Sequence, residues 1–179
     1  MSDWNVTVTN QSDPDAGGEV AQGIGCQPSF PLVCDGGSLT TEIWSGDDQL
    51  LIQGNGVGTV GTFSGQVTAP LDVDGLNPDL FSPDGGTVPL GHDLTLTWTP
   101  GGAASVTINA EDGQTLGMII CTVPDNGSFT IPSAALSNFQ SGDQGGLAVF
   151  RSVESCAHSD DASISILLQT ETWGRVVFQ

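Results

Sequence analysis

Residues 93–102 read DLTLTWTPGG. Leu94, Leu96 and Trp98 alternate with Thr95, Thr97 and Thr99, and Pro100-Gly101-Gly102 then stops the run. Period-two alternation sends one set of side chains into a core and the other into water, which is the mark of a half-buried strand. The same beat recurs at Trp4, Val6 and Val8, at Val106 and Ile108, and at Ile164, Ile166 and Leu168, where Leu167 interrupts the polar side. Further strand runs fall at 39–44, 49–53, 59–68, 115–123, 127–131, 146–152 and 173–178. Gly-, Pro-, Asp- and Asn-rich turns separate them. One short helix is expected over 133–139, with Pro132 and Ser133 as start residues. Many short strands at such spacing predict an all-β antiparallel sandwich.

The segment 70–86, PLDVDGLNPDLFSPDGG, is a seam of Pro, Asp and Gly. Beyond it lie enough strands for a complete sandwich, whereas residues before it are too few for a comfortable independent core. The expected organisation is therefore residues 1–75 as additional N-terminal strands packing on a sandwich over 76–179.

Charge narrows the function classes. The chain carries 21 Asp plus Glu, two Arg (Arg151 and Arg175) and no Lys, for a net charge of -19. Nucleic acid, whose binding needs Lys or Arg at phosphates, is excluded as a partner, and anionic membrane surfaces repel such a chain. Without Lys there is no Schiff-base chemistry and no Lys-derived isopeptide crosslink. The plainest reading of the acids is a solvated surface. No apolar run is long enough for a transmembrane helix. No signal peptide is legible either, since residues 1–10 already read as a strand. If the protein is exported, its leader has been removed.

Four cysteines, Cys26, Cys34, Cys121 and Cys156, allow three pairings. Cys26–Cys34 and Cys121–Cys156 is the preferred set, because the first brackets a short Pro-containing loop and the second joins two strand runs. Chain entropy alone would assign them roughly 2.6 and 3.8 kcal/mol. Disulfides imply an oxidising compartment: extracellular, periplasmic or cell-surface. The other reading is buried free thiols.

Several residue groups are candidates for chemistry. Asp72, Asp74, Asn77 and Asp79, turned by Gly75, can converge oxygen ligands on Ca²⁺, the one cofactor the sequence suggests. The spacing departs from the EF-hand, with Gly too early, Pro78 intervening and no closing Glu, so an acidic turn-rich linker is the plainer reading. Cys156, His158, Asp160 and Asp161 mix soft and hard metal ligands but fit a polar loop better. His92 and His158 sit beside no nucleophile motif, so no hydrolase triad is legible and the chain is expected not to be an enzyme. Among the tryptophans, Trp98 shares the face of Leu94 and Leu96. Trp44 and Trp173 flank turns and are the candidates to stack on sugar rings, against the alternative of core or edge packing. Val176, Val177 and Phe178 would end the chain on an edge strand able to pair between copies. Asn5, Asn10 and Asn126 fit the N-glycosylation pattern, which a Ser/Thr-rich chain produces by chance.

DLTLTWTPGG at 93–102, ICTVPDNGSFTIPSAAL at 120–136 and LAVFR at 147–151 resemble a pattern found in exported proteins and lipoproteins of predatory and marine proteobacteria. IWSGDDQLLIQGNGVGTVGTFSGQVTAP at 43–70 resembles the stretch that precedes it there. The resemblance covers roughly residues 39–152 and rests on turn glycines, strand alternation and a Pro before a short helix. It implies an Ig-like sandwich outside the cytoplasm, of unknown function, with no catalytic residues to carry over. The expectation is a non-catalytic exported surface or periplasmic protein with a binding or structural role, with Ca²⁺ as the candidate stabilising ion. The alternatives are a carbohydrate-binding module, or a self-assembling extracellular subunit. The expected partners are a polysaccharide, a surface protein or another copy.

Overall fold

In the computed structural model the described residues are 6–12, 25–27, 33–35, 44–56, 61–82, 84–103, 105–113, 117–159 and 163–179. Trp4, Asn5, the 39–43 part of one expected strand, Asp160 and Asp161 lie outside them. The chain divides into two compact units: residues 1–69 with Val153–Leu168, and Pro70–Ser152 with Gln169–Gln179.

The first unit is built from β1 (Val6–Asn10), β4 (Gln49–Gly54), β5 (Phe63–Thr68) and stretches of two long strands, β11 (Gln144–His158) and β12 (Ser163–Phe178). β4 lies between β1 and β5, antiparallel to both, and β5 meets β11 where Ser64 faces His158. Alternation puts Val6, Val8, Leu50, Ile52, Val67, Ala157 and Ile166 in one core. A separate hairpin, β2 (Gly25–Gln27) and β3 (Val33–Asp35), sets Cys26 directly opposite Cys34.

The second unit is a two-layer sandwich. One sheet runs β9 (Met118–Pro124), β8 (Ser105–Asp112), β11, β12, β6 (Gly86–Val88), antiparallel except for the β12–β6 pair. The other pairs β7 (Leu94–Thr97) with β10 (Ser128–Ile131). With β7 and β10 as B and E, and β8, β9, β11 and β12 as C, C′, F and G, the connectivity is that of an Ig-like sandwich. The core contains Leu94, Leu96 and Ile131 from one layer and Val106, Ile108, Leu147, Val149 and Phe178 from the other. α1 (Ser133–Leu136) is a single turn, shorter than the expected 133–139. Asp93 Oδ1 accepts from Ser133 N at 2.8 Å. That hydrogen bond holds the Asp93 carboxyl below its usual range. Phe139, just beyond α1, stacks on Phe178 at 4.1 Å.

Several sequence expectations change. The 70–86 seam is not a linker but a largely irregular segment, with one isolated bridge, that leads into β6 and touches both layers. Asn77 bridges Thr97 on β7, Asp74 O accepts from Thr99 N, and Gly86–Val88 then pairs with β12. Where two consecutive segments were expected, meeting at 75/76, the first unit instead takes back Val153–Leu168. The reason is that the runs 146–152 and 163–169 extend into strands long enough to serve both units. Cys156 and His158, expected in a loop, therefore lie on β11. Val176, Val177 and Phe178 are not on an edge, because β6 covers that side of β12.

The Cys121–Cys156 pairing is also corrected. Both are free thiols. Cys121 packs half-buried against the sandwich core, while Cys156 is exposed on the part of β11 that belongs to the first unit. Burial pushes the Cys121 thiol up in pKa.

Candidate binding face

The sandwich sheet has an inner and an outer face. Period-two geometry puts Val106, Ile108 and Ala110 of β8 inward, leaving Asn109 and Glu111 between and beyond them outward. On β11 the inward set is Leu147, Val149 and Arg151, and the outward set Gly146, Ala148 and Phe150. On β12 the inward set includes Val176 and Phe178, and the outward set Glu171 and Trp173.

Arg151 therefore occupies an apolar position, and its side chain is 1% exposed. Both terminal nitrogens of its guanidinium are engaged. It donates to Leu71 O at 3.1 Å, to Asp72 O, to Thr99 O at 2.7 Å and to Asp125 Oδ1 at 3.3 Å. Its Nε lies 3.1 Å from Asp125 Oδ2 as an ion pair, without hydrogen-bond alignment. Asp125 also accepts from Trp98 Nε1 at 2.8 Å and Gly101 N at 2.9 Å. Burial pushes the Asp125 carboxyl up, but these hydrogen bonds and the Arg151 charge outweigh it, and its pKa is held below the usual carboxylate range. Gly101 is required by the close approach: a Cβ there would lie 2.4 Å from the guanidinium carbon. This cluster ties the 71–72 segment, the β7 end and the β9–β10 turn to β11. Sequence reasoning missed it, although one of only two cations, at an inward beat of LAVFR, was the available signal.

The outer face is the candidate site. Asn109, Glu111, Gly146, Ala148, Phe150, Glu171 and Trp173 line a shallow groove of about 100 Å³. Gly146 is its floor: a Cβ there would lie 2.7 Å from Trp173 Nε1 and 3.6 Å from Glu111 Oε1. Trp173 is 49% exposed, as the sequence suggested for one of its two candidates. Beside the groove, the exposed Ile120 and Met118 of β9 stand directly opposite Asn109 and Glu111, so all four point the same way. A second, wider groove of about 350 Å³ holds Arg175 among Gly85, Gly86, Thr87, Gln144 and Gly145, with Asp84.

The other sequence candidates are placed as follows. Trp44 is half-buried and packs on the first unit's core. Asp72, Asp74, Asn77 and Asp79 are exposed, while the carbonyls of Asp72 and Asn77 are engaged by Arg151 and Thr97. Among the described residues no three His, Cys, Asp or Glu side chains gather closely enough to hold a metal. His92 and His158 are both exposed, one in each unit. No helix of the described residues is long and apolar enough to cross a membrane.

No protein-family model matches this chain, and no curated protein does. Among solved structures it is similar to the chicken CNTN1 FN1–FN3 domains, at 12% identity and a TM-score of 0.30, over 99% of this chain and 57% of that one. It thus spans little over half of that structure's length. It is also similar to DIP-gamma IG1+IG2, at 13% identity and a TM-score of 0.22, over 99% of this chain and 83% of that one. Likenesses this slight carry no argument about function, and the Ig-like description rests on the strand connectivity above.

Proposed function

We propose that this chain is a non-catalytic recognition module of an exported surface or periplasmic protein, and that the outer face of β8, β11 and β12 is its binding face. The observation that carries the reading is the half-exposed Trp173 over a glycine floor, with Met118 and Ile120, each more than half exposed, on β9 of the same sheet face. Large apolar groups left in water on one side of a folded sheet are the usual sign of a contact surface. Aromatic residues and Met are enriched at such surfaces. Export is supported by the Lys-free, strongly acidic composition and by Cys26 facing Cys34 across an antiparallel pair, which suits a disulfide.

The test is an array of immobilised peptides and glycans probed with wild type and with Trp173→Ala. Signals lost in the variant at unchanged fold support the reading. Signals that survive it but vanish in Trp44→Ala overturn it. Carbohydrate binding is the second reading, favoured by the position of Asn109 and Glu111 beside the Trp173 ring, where sugar hydroxyls can be met. Retention of wild type on neutral polysaccharide supports this version, and its absence ends it.

A further inference from the structure

We infer that the groove at Trp173 takes a protonated amine or guanidinium group, presented as a Lys or Arg side chain by a partner protein. This rests on the binding-face reading above and names what that face selects.

The inference comes from the lining. Glu111 and Glu171 both border the groove, and the only ion pair among the described residues is Arg151–Asp125, elsewhere in the unit. Neither glutamate has a hydrogen-bond or ion-pair partner among the described residues. Phe150 and Trp173 add aromatic surface, and a ring face attracts a cation through its quadrupole. The side-chain amide of Asn109 is likewise unengaged, and its Oδ1 is buried without a partner. Asn109 itself borders the groove. The site thus combines two carboxylates and π faces, with an amide beside them, around a space that suits one cationic head. Arg175, which would repel a cation, opens onto the other groove.

Two further observations favour a protein side chain over a free amine or an amino sugar. Ile120 and Met118 flank the acceptors and are 59% and 58% exposed, giving an apolar rim that suits the residues beside a Lys or Arg. The net charge of -19 makes a second copy of this chain an unfavourable occupant and a basic partner a steered one.

The experiment is an NMR titration of the full chain, following the Trp173 indole N–H and the Asn109 side-chain amide. The probes are acetyl-Leu-Lys-Leu-amide, its Arg counterpart, the same peptides with acetyl-lysine or citrulline, lysine amide alone, and glucosamine and glucose oligomers. Expected are saturable shifts with the Lys and Arg peptides, about fivefold or more tighter than with the neutral isosteres. Lysine amide should bind more weakly than the peptide, because it leaves the rim uncovered. Glu111→Gln with Glu171→Gln should remove the preference, whereas Asp72→Asn with Asp79→Asn, an equal charge change elsewhere in the unit, should keep it. Equal shifts with neutral peptides overturn the cation claim while leaving the binding face standing. So do unsaturable shifts spread over the acidic surface. Glucosamine oligomers outbinding the peptides overturn the protein partner. Silence of Trp173 toward every probe overturns both this inference and the face.

Discussion

The two faces of one sheet in the second unit obey opposite rules. Inside, Val106, Ile108, Leu147, Val149 and Phe178 are fully buried, and the buried Arg151 is hydrogen-bonded and ion-paired. Outside, Glu111 and Glu171 have no partner among the described residues, while Ile120, Met118 and Trp173 are left in water. The inner face is apolar, and its Arg151 is held by an ion pair and by hydrogen bonds from both terminal nitrogens. The outer face leaves several groups unpartnered at no cost to folding, because water serves them until a ligand does. A residue's place on one face or the other should therefore decide whether its loss costs stability or binding.

The largest expected effect is at the charge inside. Arg151→Ala strands the Asp125 carboxylate and three carbonyl acceptors in the interior. A buried pair broken on one side costs about 3–5 kcal/mol, read from the urea midpoint. A loss under about 1 kcal/mol would mean that water reaches the cluster. Leu147→Ala should follow, at about 2–5 kcal/mol, whereas Ile120→Ser and Met118→Ala outside should stay within about 0.5 kcal/mol. Equal costs on the two faces would erase the comparison.

Acid probes the same cluster without mutation. Asp125 has a folded pKa below its unfolded value, so its contribution is complete above an ordinary carboxylate pKa of about 3.9 and fades as pH falls through the lowered folded value. Asp125→Asn should flatten that part of the acid limb of a stability–pH curve. An unchanged limb would assign acid sensitivity to other groups. A smaller effect separates the two free thiols. Cys156, exposed, should alkylate in the native protein, and Cys121, half-buried with a raised pKa, only on unfolding. A mass spectrum showing a Cys121–Cys156 bond would contradict the assignment. The smallest effect is at the 70–86 segment, where excess Ca²⁺ or chelator should leave the melting temperature unchanged. A rise with Ca²⁺ would restore Asp72, Asp74, Asn77 and Asp79 as ligands.

Alternation made the sandwich legible, because DLTLTWTPGG and LAVFR each display their inward set in the sequence. What alternation does not encode is partner choice. Nothing local says that 70–86 touches both layers, that β6 rather than solvent covers Val176, or that β11 and β12 run past Ser152 and Thr170. Cys121 and Cys156 looked like partners because both lie on strands, but which unit each strand portion joins is set by long-range pairing. Trp173 was named as an exposed candidate because it was expected to flank a turn, but it is exposed as an outward position inside β12. Its neighbours Asn109, Glu111 and Gly146 come from two other strands and were not legible.

The most direct test of the central claim is the urea denaturation of Trp173→Ala. Half-burial over Gly146 allows a cost of about 1 kcal/mol, and the account expects that modest value with loss of Lys-peptide binding. A cost of about 3–5 kcal/mol would make Trp173 part of the sheet's packing and would contradict the division of the sheet into a folding face and a binding face.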